Sequence, residues 1–165
     1  MNHESLQEAI NCLSILDVRL DNSTILVDDE FDPLFTGEET LTVQFKSGIK
    51  ESVVRSKQAN EKEEKYLRSK YQCGYRVLIS SNDNAEPPSG EDLKGWVQVA
   101  EVTADFIAYY GMNTDLDQSA IDEFSKHNVG YNVWPYWREY ASSTAVRLRL
   151  PPVMPPLYVI PRDKK

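Results

Sequence analysis

For catalysis the sequence offers two histidines, His3 and His127, two cysteines, Cys12 and Cys73, and scattered carboxylates. A nucleophile needs a base within hydrogen-bond reach and a third group that orients the base. No spacing here supplies that set. There is no glycine-rich phosphate loop, no Gly-x-Ser-x-Gly elbow and no Cys/His set at metal-ligand spacing. His127 falls at the end of a helical pattern and reads as a capping or solvent-facing side chain. The run Asp28-Asp29-Glu30-Asp32 lacks the alternating ligands and glycine of a calcium loop and reads as a solvated loop. Arg138 and Glu139 are adjacent on a helix and do not face each other, so they suit a salt bridge to another element or subunit better than acid–base work. The sequence predicts no catalytic residue, no metal, no cofactor and no enzyme.

Its chemistry is that of apolar contact. The stretch Gly130-Tyr131-Asn132-Val133-Trp134-Pro135-Tyr136-Trp137-Arg138-Glu139-Tyr140 continues to Arg147-Leu148-Arg149-Leu150-Pro151-Pro152. With Pro135 as the first helical residue, where its missing N–H costs nothing, Trp137, Tyr140, Ala141, Thr144, Ala145 and Leu148 share one helical stripe. Pro151-Pro152 then sends the chain out extended. Trp137 and Tyr140 read as core or subunit interface, whereas Trp134 and Tyr136 fall off the stripe. Tyr109, Tyr110 and Met112 leave the last strand, and Val153, Met154, Leu157 and Tyr158 lie in a Pro-rich tail. That is more apolar surface than a four-stranded sheet with two helices can cover. Large apolar patches mark interaction sites, and Met and aromatics suit surfaces that accept varied segments.

The elements that must position these residues are strands followed by helices. Ser5 to Cys12 reads as a short amphipathic helix or a lead into a strand. Leu16, Val18 and Leu20 alternate with charged residues, and Ile25 and Val27 continue on the other parity, which predicts a bulge or bend at Asp21-Asn22-Ser23. Asp28 to Glu39 reads as a loop. Leu41, Val43, Phe45, Ile49 and Val53 predict a second strand loosened at Ser47-Gly48, and Ser56 to Lys70 a solvated turn or extended hairpin tip. Tyr71, Cys73, Tyr75, Val77 and Ile79 form the cleanest alternation. Trp96 to Tyr110 is a fourth strand whose apolar parity moves near Thr103. A helix capped at Thr114 or Asp115 carries Leu116, Ala120, Ile121 and Phe124, and His127-Asn128 and Gly130 should end it. Pro occupies five of the eleven positions from Pro151 to Pro161, so that segment is extended. The fold class expected is α+β, a four-stranded antiparallel sheet followed by two helices on one face.

With 165 residues, 41% hydrophobic and 27% charged, the chain reads as a single globular domain, 1–165, with 1–12 as lead-in and 151–165 as Pro-rich tail. A net charge of −8 argues against nucleic-acid binding, which needs a basic footprint. Met1 to Glu8 lacks the basic start and apolar run of a signal peptide, and no window approaches the ~20 apolar residues of a membrane span. Two cysteines among apolar residues read as small buried thiols in a reducing compartment, which makes the expected location cytoplasmic.

The Pro-Tyr-x-Arg-Glu-Tyr helix followed by Arg-Leu-x-Leu-Pro-Pro resembles the hallmark helix and loop of SecB-like chaperones. The resemblance covers Leu13 to Val159 in order of elements and is specific over Asn128 to Leu157. It implies a homotetramer, a dimer of dimers, that holds unfolded client polypeptide in apolar grooves without ATP. The helix Pro135–Leu148, with Trp137, Tyr140 and Thr144, would contribute to the assembly interface. Tyr109, Tyr110 and Met112, with Val153, Met154, Leu157 and Tyr158, would line the grooves. Export members also dock the motor SecA. Glu101 matches the acidic position on the final strand, whereas Asn22 and Leu26 stand near the acidic positions of the first. With the sequence stopping at Lys165, the second C-terminal helix of the family has no counterpart. The expectation therefore turns toward the branch in toxin–antitoxin–chaperone systems, including phage defence, whose client is an antitoxin segment. The rivals are a general export chaperone and a structural adaptor with one permanent partner.

Overall fold

The structure is a computed structural model and describes residues 2–34, 40–59, 62–82, 84–90 and 92–159. The loop expected over Asp28 to Glu39 lies outside them from 35 to 39, as does the tail beyond Val159. Strands β1 (Leu13–Val27), β2 (Thr40–Ala59), β3 (Lys62–Ser80) and β4 (Val97–Met112) form one sheet in the order β1-β4-β3-β2, each neighbour antiparallel. Helix α1 (His3–Cys12) precedes them, and α2 (Gln118–Phe124) and α3 (Gly130–Arg147) follow. This is the expected α+β class. The Asn2 side chain caps α1 by accepting from the Ser5 N–H.

Period-two alternation makes one face of the sheet apolar. Leu67, Tyr71, Cys73, Tyr75 and Val77 of β3 pair with Tyr110, Phe106, Ala104, Val102 and Ala100 of β4, and all ten are buried. Alanines at 100, 104 and 108 leave room for α3, which lays Trp137, Ala141, Thr144 and Ala145 on that face. The opposite face carries an ion-pair row in which Lys70 bridges Asp21 (3.0 Å) and Asp105 (3.3 Å). At one end the loop before β4 covers this face. There Gln44 and Arg76 donate to the carbonyls of Pro88 and Gly90, and the Trp96 indole donates to that of Glu86.

The bulge expected at Asp21-Asn22-Ser23 is present between Leu20 and Asn22, with a second between Ile15 and Asp17. In β2 the irregularity falls between Ile49 and Glu51, not at Ser47-Gly48. The charged segment Ser56 to Lys70 is a hairpin whose strands pair out to Ala59 and Lys62, and Leu67 and Ser69 within it are buried. In β4 the parity changes at Val99, not near Thr103. Val77 pairs with Ala100 and Leu78 with Gln98, so Val99 is the extra residue of a bulge.

The helices differ most. His127-Asn128 and Gly130 end nothing: α2 runs through a π-helical turn (Ser125–Val129) directly into α3. Gly130 itself is right-handed helical, with φ −58° and ψ −40°. Pro135 is therefore inside α3 and not at its start. It is exposed, as is Tyr131 one turn earlier, whose carbonyl loses its helical partner at the water side where solvent can replace it. His127 is buried, 1% exposed, with its Nε2 3.3 Å from a Glu123 carboxylate oxygen, so it is neither a cap nor solvent-facing.

Candidate functional site

Alternation buries one side of the central strands β3 and β4, and α3 is too narrow to cover all four strands. It lies over β3 and β4 and leaves the edge strand β1 open. On the helix side of β1, Ile15, Leu20, Ile25 and Val27 are 48, 42, 44 and 38% exposed. On the other side Leu16 and Leu26 are 64 and 57% exposed. Between this edge and α3 lies a groove of about 480 Å³ lined by Leu20, Phe106, Pro135, Tyr136, Glu139 and Tyr140. A strand with unpaired N–H and C=O groups and apolar side chains on both faces is a surface that other chains can pair with.

The opposite flank of α3 is occupied by the tail. After Leu150 the chain turns back and runs extended along the helix. The Ser142 hydroxyl donates to the Val153 carbonyl (3.0 Å) and the Trp134 indole N–H to the Pro156 carbonyl (2.8 Å). Val153 and Pro155 turn inward and are buried, whereas Met154, Leu157 and Val159 turn outward at 71, 75 and 78% exposure. Tyr158 ends the strap. Its ring lies 5.3 Å from that of Trp134 and 6.3 Å from that of Tyr131. Its hydroxyl reaches the helix backbone at Gly130, where a Cβ would collide with the Tyr158 oxygen and stand 2.7 Å from that of Tyr71. Burial, and then the neighbouring Tyr71, push the Tyr158 phenol well above its ordinary range. Gly130 is thus a notch for two phenols.

The residues expected to line a single groove divide: Tyr109 and Met112 line one cavity of about 850 Å³ with Leu16 and Tyr66, and the others lie elsewhere. Tyr109 lies on the face away from the helices, accepting from Arg19 Nε (3.2 Å), with its ring 6.2 Å from that of Tyr66. Tyr110 points the other way into the core. It stacks edge-on against Phe124 at 5.0 Å and accepts from the Asn132 amide, and burial pushes its phenol up to about 12. Met112 is partly buried against the same core. Val153 is likewise buried, 2% exposed, so neither it nor Tyr110 has surface for a client. Met154 and Leu157 are exposed, and Tyr158 is half-buried in the strap.

The assembly residues divide in the same way. Trp137 (0%) and Thr144 (4%) are buried within the chain against its own sheet and present nothing to a second copy. Tyr140 is partly exposed beside the β1 groove, 6.3 Å from Phe106. Trp134, which falls off the predicted stripe, is nevertheless 8% exposed because the tail covers it. Glu101 is bridged by Lys46 at 2.6 Å, so its charge is already met within the chain.

Among the described residues no group of His, Cys, Asp and Glu could hold a metal ion, and no helix is long and apolar enough to cross a membrane. Cys12 and Cys73 are free and buried, and burial pushes the Cys73 thiol far up. Sequence reasoning missed β1 as an exposed edge. The available signal was its apolar residues on both parities, Ile15-Leu16 and Ile25-Leu26-Val27.

No protein-family model matches the chain, and no curated protein matches its sequence. A solved structure does match in fold: a SecB-like chaperone of Mycobacterium tuberculosis in complex with a ChAD peptide from the HigA1 antitoxin. The TM-score is 0.68 at 18% identity, over 97% of this chain and 100% of that one. The likeness is one of fold.

Proposed function

We propose that this chain is a holding chaperone that keeps an unfolded or aggregation-prone polypeptide in solution by apolar contact, without nucleotide. The observation that carries the reading is the strapped flank of α3. An extended segment is held there by side chain-to-carbonyl bonds over Tyr131 and Trp134, with a row of apolar side chains turned to water. Contacts of that kind accept chains of many sequences, because backbone carbonyls are common to all of them. The fold shared with a chaperone solved with an antitoxin peptide supports the same reading and favours an antitoxin segment as the client. The net charge of −8 favours basic flanks on that client through long-range attraction.

The open edge β1 and the groove beside it suit assembly, and we assign them to a homotetramer built as a dimer of dimers. Delivery to SecA finds no support in Glu101, whose carboxylate is taken by Lys46. The test is aggregation of a thermally unfolded reporter protein. Substoichiometric tetramer should suppress light scattering equally with and without ATP. Unchanged aggregation at equimolar chaperone, or suppression that requires ATP, overturns the reading.

A further inference from the structure

We infer that the flank of α3 under the tail is itself a peptide-binding groove, and that residues 151–158 fill it as a built-in competitor for an extended client segment carrying proline and an aromatic side chain. The inference rests on the holding function proposed above and names the site and its occupant. Three features of the strap support it. Its hydrogen bonds to the helix run from Ser142 and Trp134 to backbone carbonyls, so they do not depend on the side chains of the strap. Its inward residues are Val153, Pro155 and Tyr158, spaced so that every second or third side chain enters, as in an extended chain lying on a surface. Its outward residues, Met154, Leu157 and Val159, leave more than two thirds of their surface to water, which a segment built only to complete a core has no reason to do.

The anchor is the notch. Helix interiors disfavour glycine, yet Gly130 sits in one because a methyl there would collide with the Tyr158 and Tyr71 hydroxyls. A client segment with proline followed by tyrosine can place its carbonyl on Trp134 and its phenol in the same notch once the strap lifts. While the strap is docked, the apparent affinity for client falls by the fraction of time the groove is open.

The experiment measures binding of two fluorescent probes by anisotropy. One is reduced, carboxymethylated α-lactalbumin, which stays unfolded; the other is a synthetic peptide of sequence 150–159 of this chain. Tyr158→Ser, which unseats the strap, should bind both probes roughly tenfold more tightly than the parent. Val153→Ser weakens an inward contact of the strap and leaves the helix side of the groove, Ser142, Trp134 and the notch, unchanged. It should move in the same direction, and it decides the matter if circular dichroism shows Tyr158→Ser unfolded. Tyr158→Phe, which keeps the ring, should match the parent. Adding Gly130→Ala to Tyr158→Ser should close the notch and remove binding of the peptide. Equal or weaker binding of α-lactalbumin by both loosened variants overturns the groove while leaving the holding function standing. If neither the parent nor any variant binds it, the function itself falls, and the groove with it.

Discussion

Trp137 lies 6.0 Å from Tyr75, centroid to centroid, with the two rings tilted by 44° and both side chains buried. Trp137 is therefore spent inside one chain, fastening α3 to the middle of β3. Helix and sheet pack as one unit within a single chain, and any assembly must use what they leave uncovered.

Trp137→Ala should destabilise the fold by ~3–5 kcal/mol, the usual cost of emptying a large buried aromatic site. Because the contact is within the chain, the loss should be the same at low and high protein concentration. Urea denaturation at two concentrations a hundredfold apart checks this. A loss that appears only at the higher one would place Trp137 between subunits.

Leu20→Ser with Ile25→Ser removes apolar surface from the open side of β1 without touching the buried core. The fold should survive, with unchanged far-ultraviolet circular dichroism, while light scattering should show a drop from the four chain masses of the proposed tetramer to fewer. A tetramer of unchanged dissociation constant would move the interface elsewhere.

The buried phenols set an alkaline limit. Burial pushes Tyr75 and Tyr110 up from 10.0 to about 12, so the folded chain holds protons that the unfolded chain releases. Their contribution to stability is whole below pH 10 and is lost as the pH climbs from 10 toward 12. Both phenols should ionise together with loss of the near-ultraviolet signal. Ionisation of either at pH 10 with the fold intact would contradict the packing described.

Gly74→Ala tests a crossing on the far face of the sheet. Lys46 of β2 reaches over Gly74 of β3 to Glu101 of β4, and a Cβ at 74 would stand 2.9 Å from the lysine Cε and 3.1 Å from the Val102 carbonyl oxygen. Overpacking of this kind costs ~1–3 kcal/mol. Lys46→Ala alone should stay within ~1 kcal/mol, since the ion pair is exposed, yet it should relieve part of the Gly74→Ala loss. Strict additivity in a double-mutant cycle would mean that the lysine stem does not cross there.

The sheet was legible because alternation is a local signal: Tyr71, Cys73, Tyr75 and Val77 announce their face whatever else the chain does. The helix stripe from Trp137 to Leu148 was legible for the same reason. What escaped depends on residues far apart in sequence. Gly130 reads locally as a helix stop, yet its absent side chain makes room for Tyr158 and Tyr71. Trp134 reads as off the stripe, yet the returning tail covers it. His127 reads as a helix end because no pattern announces a π turn. The apolar residues of β1 were visible, but not that β1 would be an edge, since strand order is decided by pairing. Three of the candidate groove residues, Tyr109, Tyr110 and Met112, lie on one strand, and a strand sends Tyr109 and Tyr110 to opposite faces by geometry alone.

The π turn at Ser125–Val129 has a consequence for chain length. Such a turn holds one residue more than the helix around it, and each residue advances a helix by about 100°. It therefore sets the angular phase between α2, which presents Ala120, Ile121 and Phe124 to the core, and α3, which presents Val133 and Trp137. Deleting a single residue there would regularise the helix and swing Phe124 away from Tyr110, although no contact residue had changed. Over these five positions the count of residues is a stricter constraint than their identity.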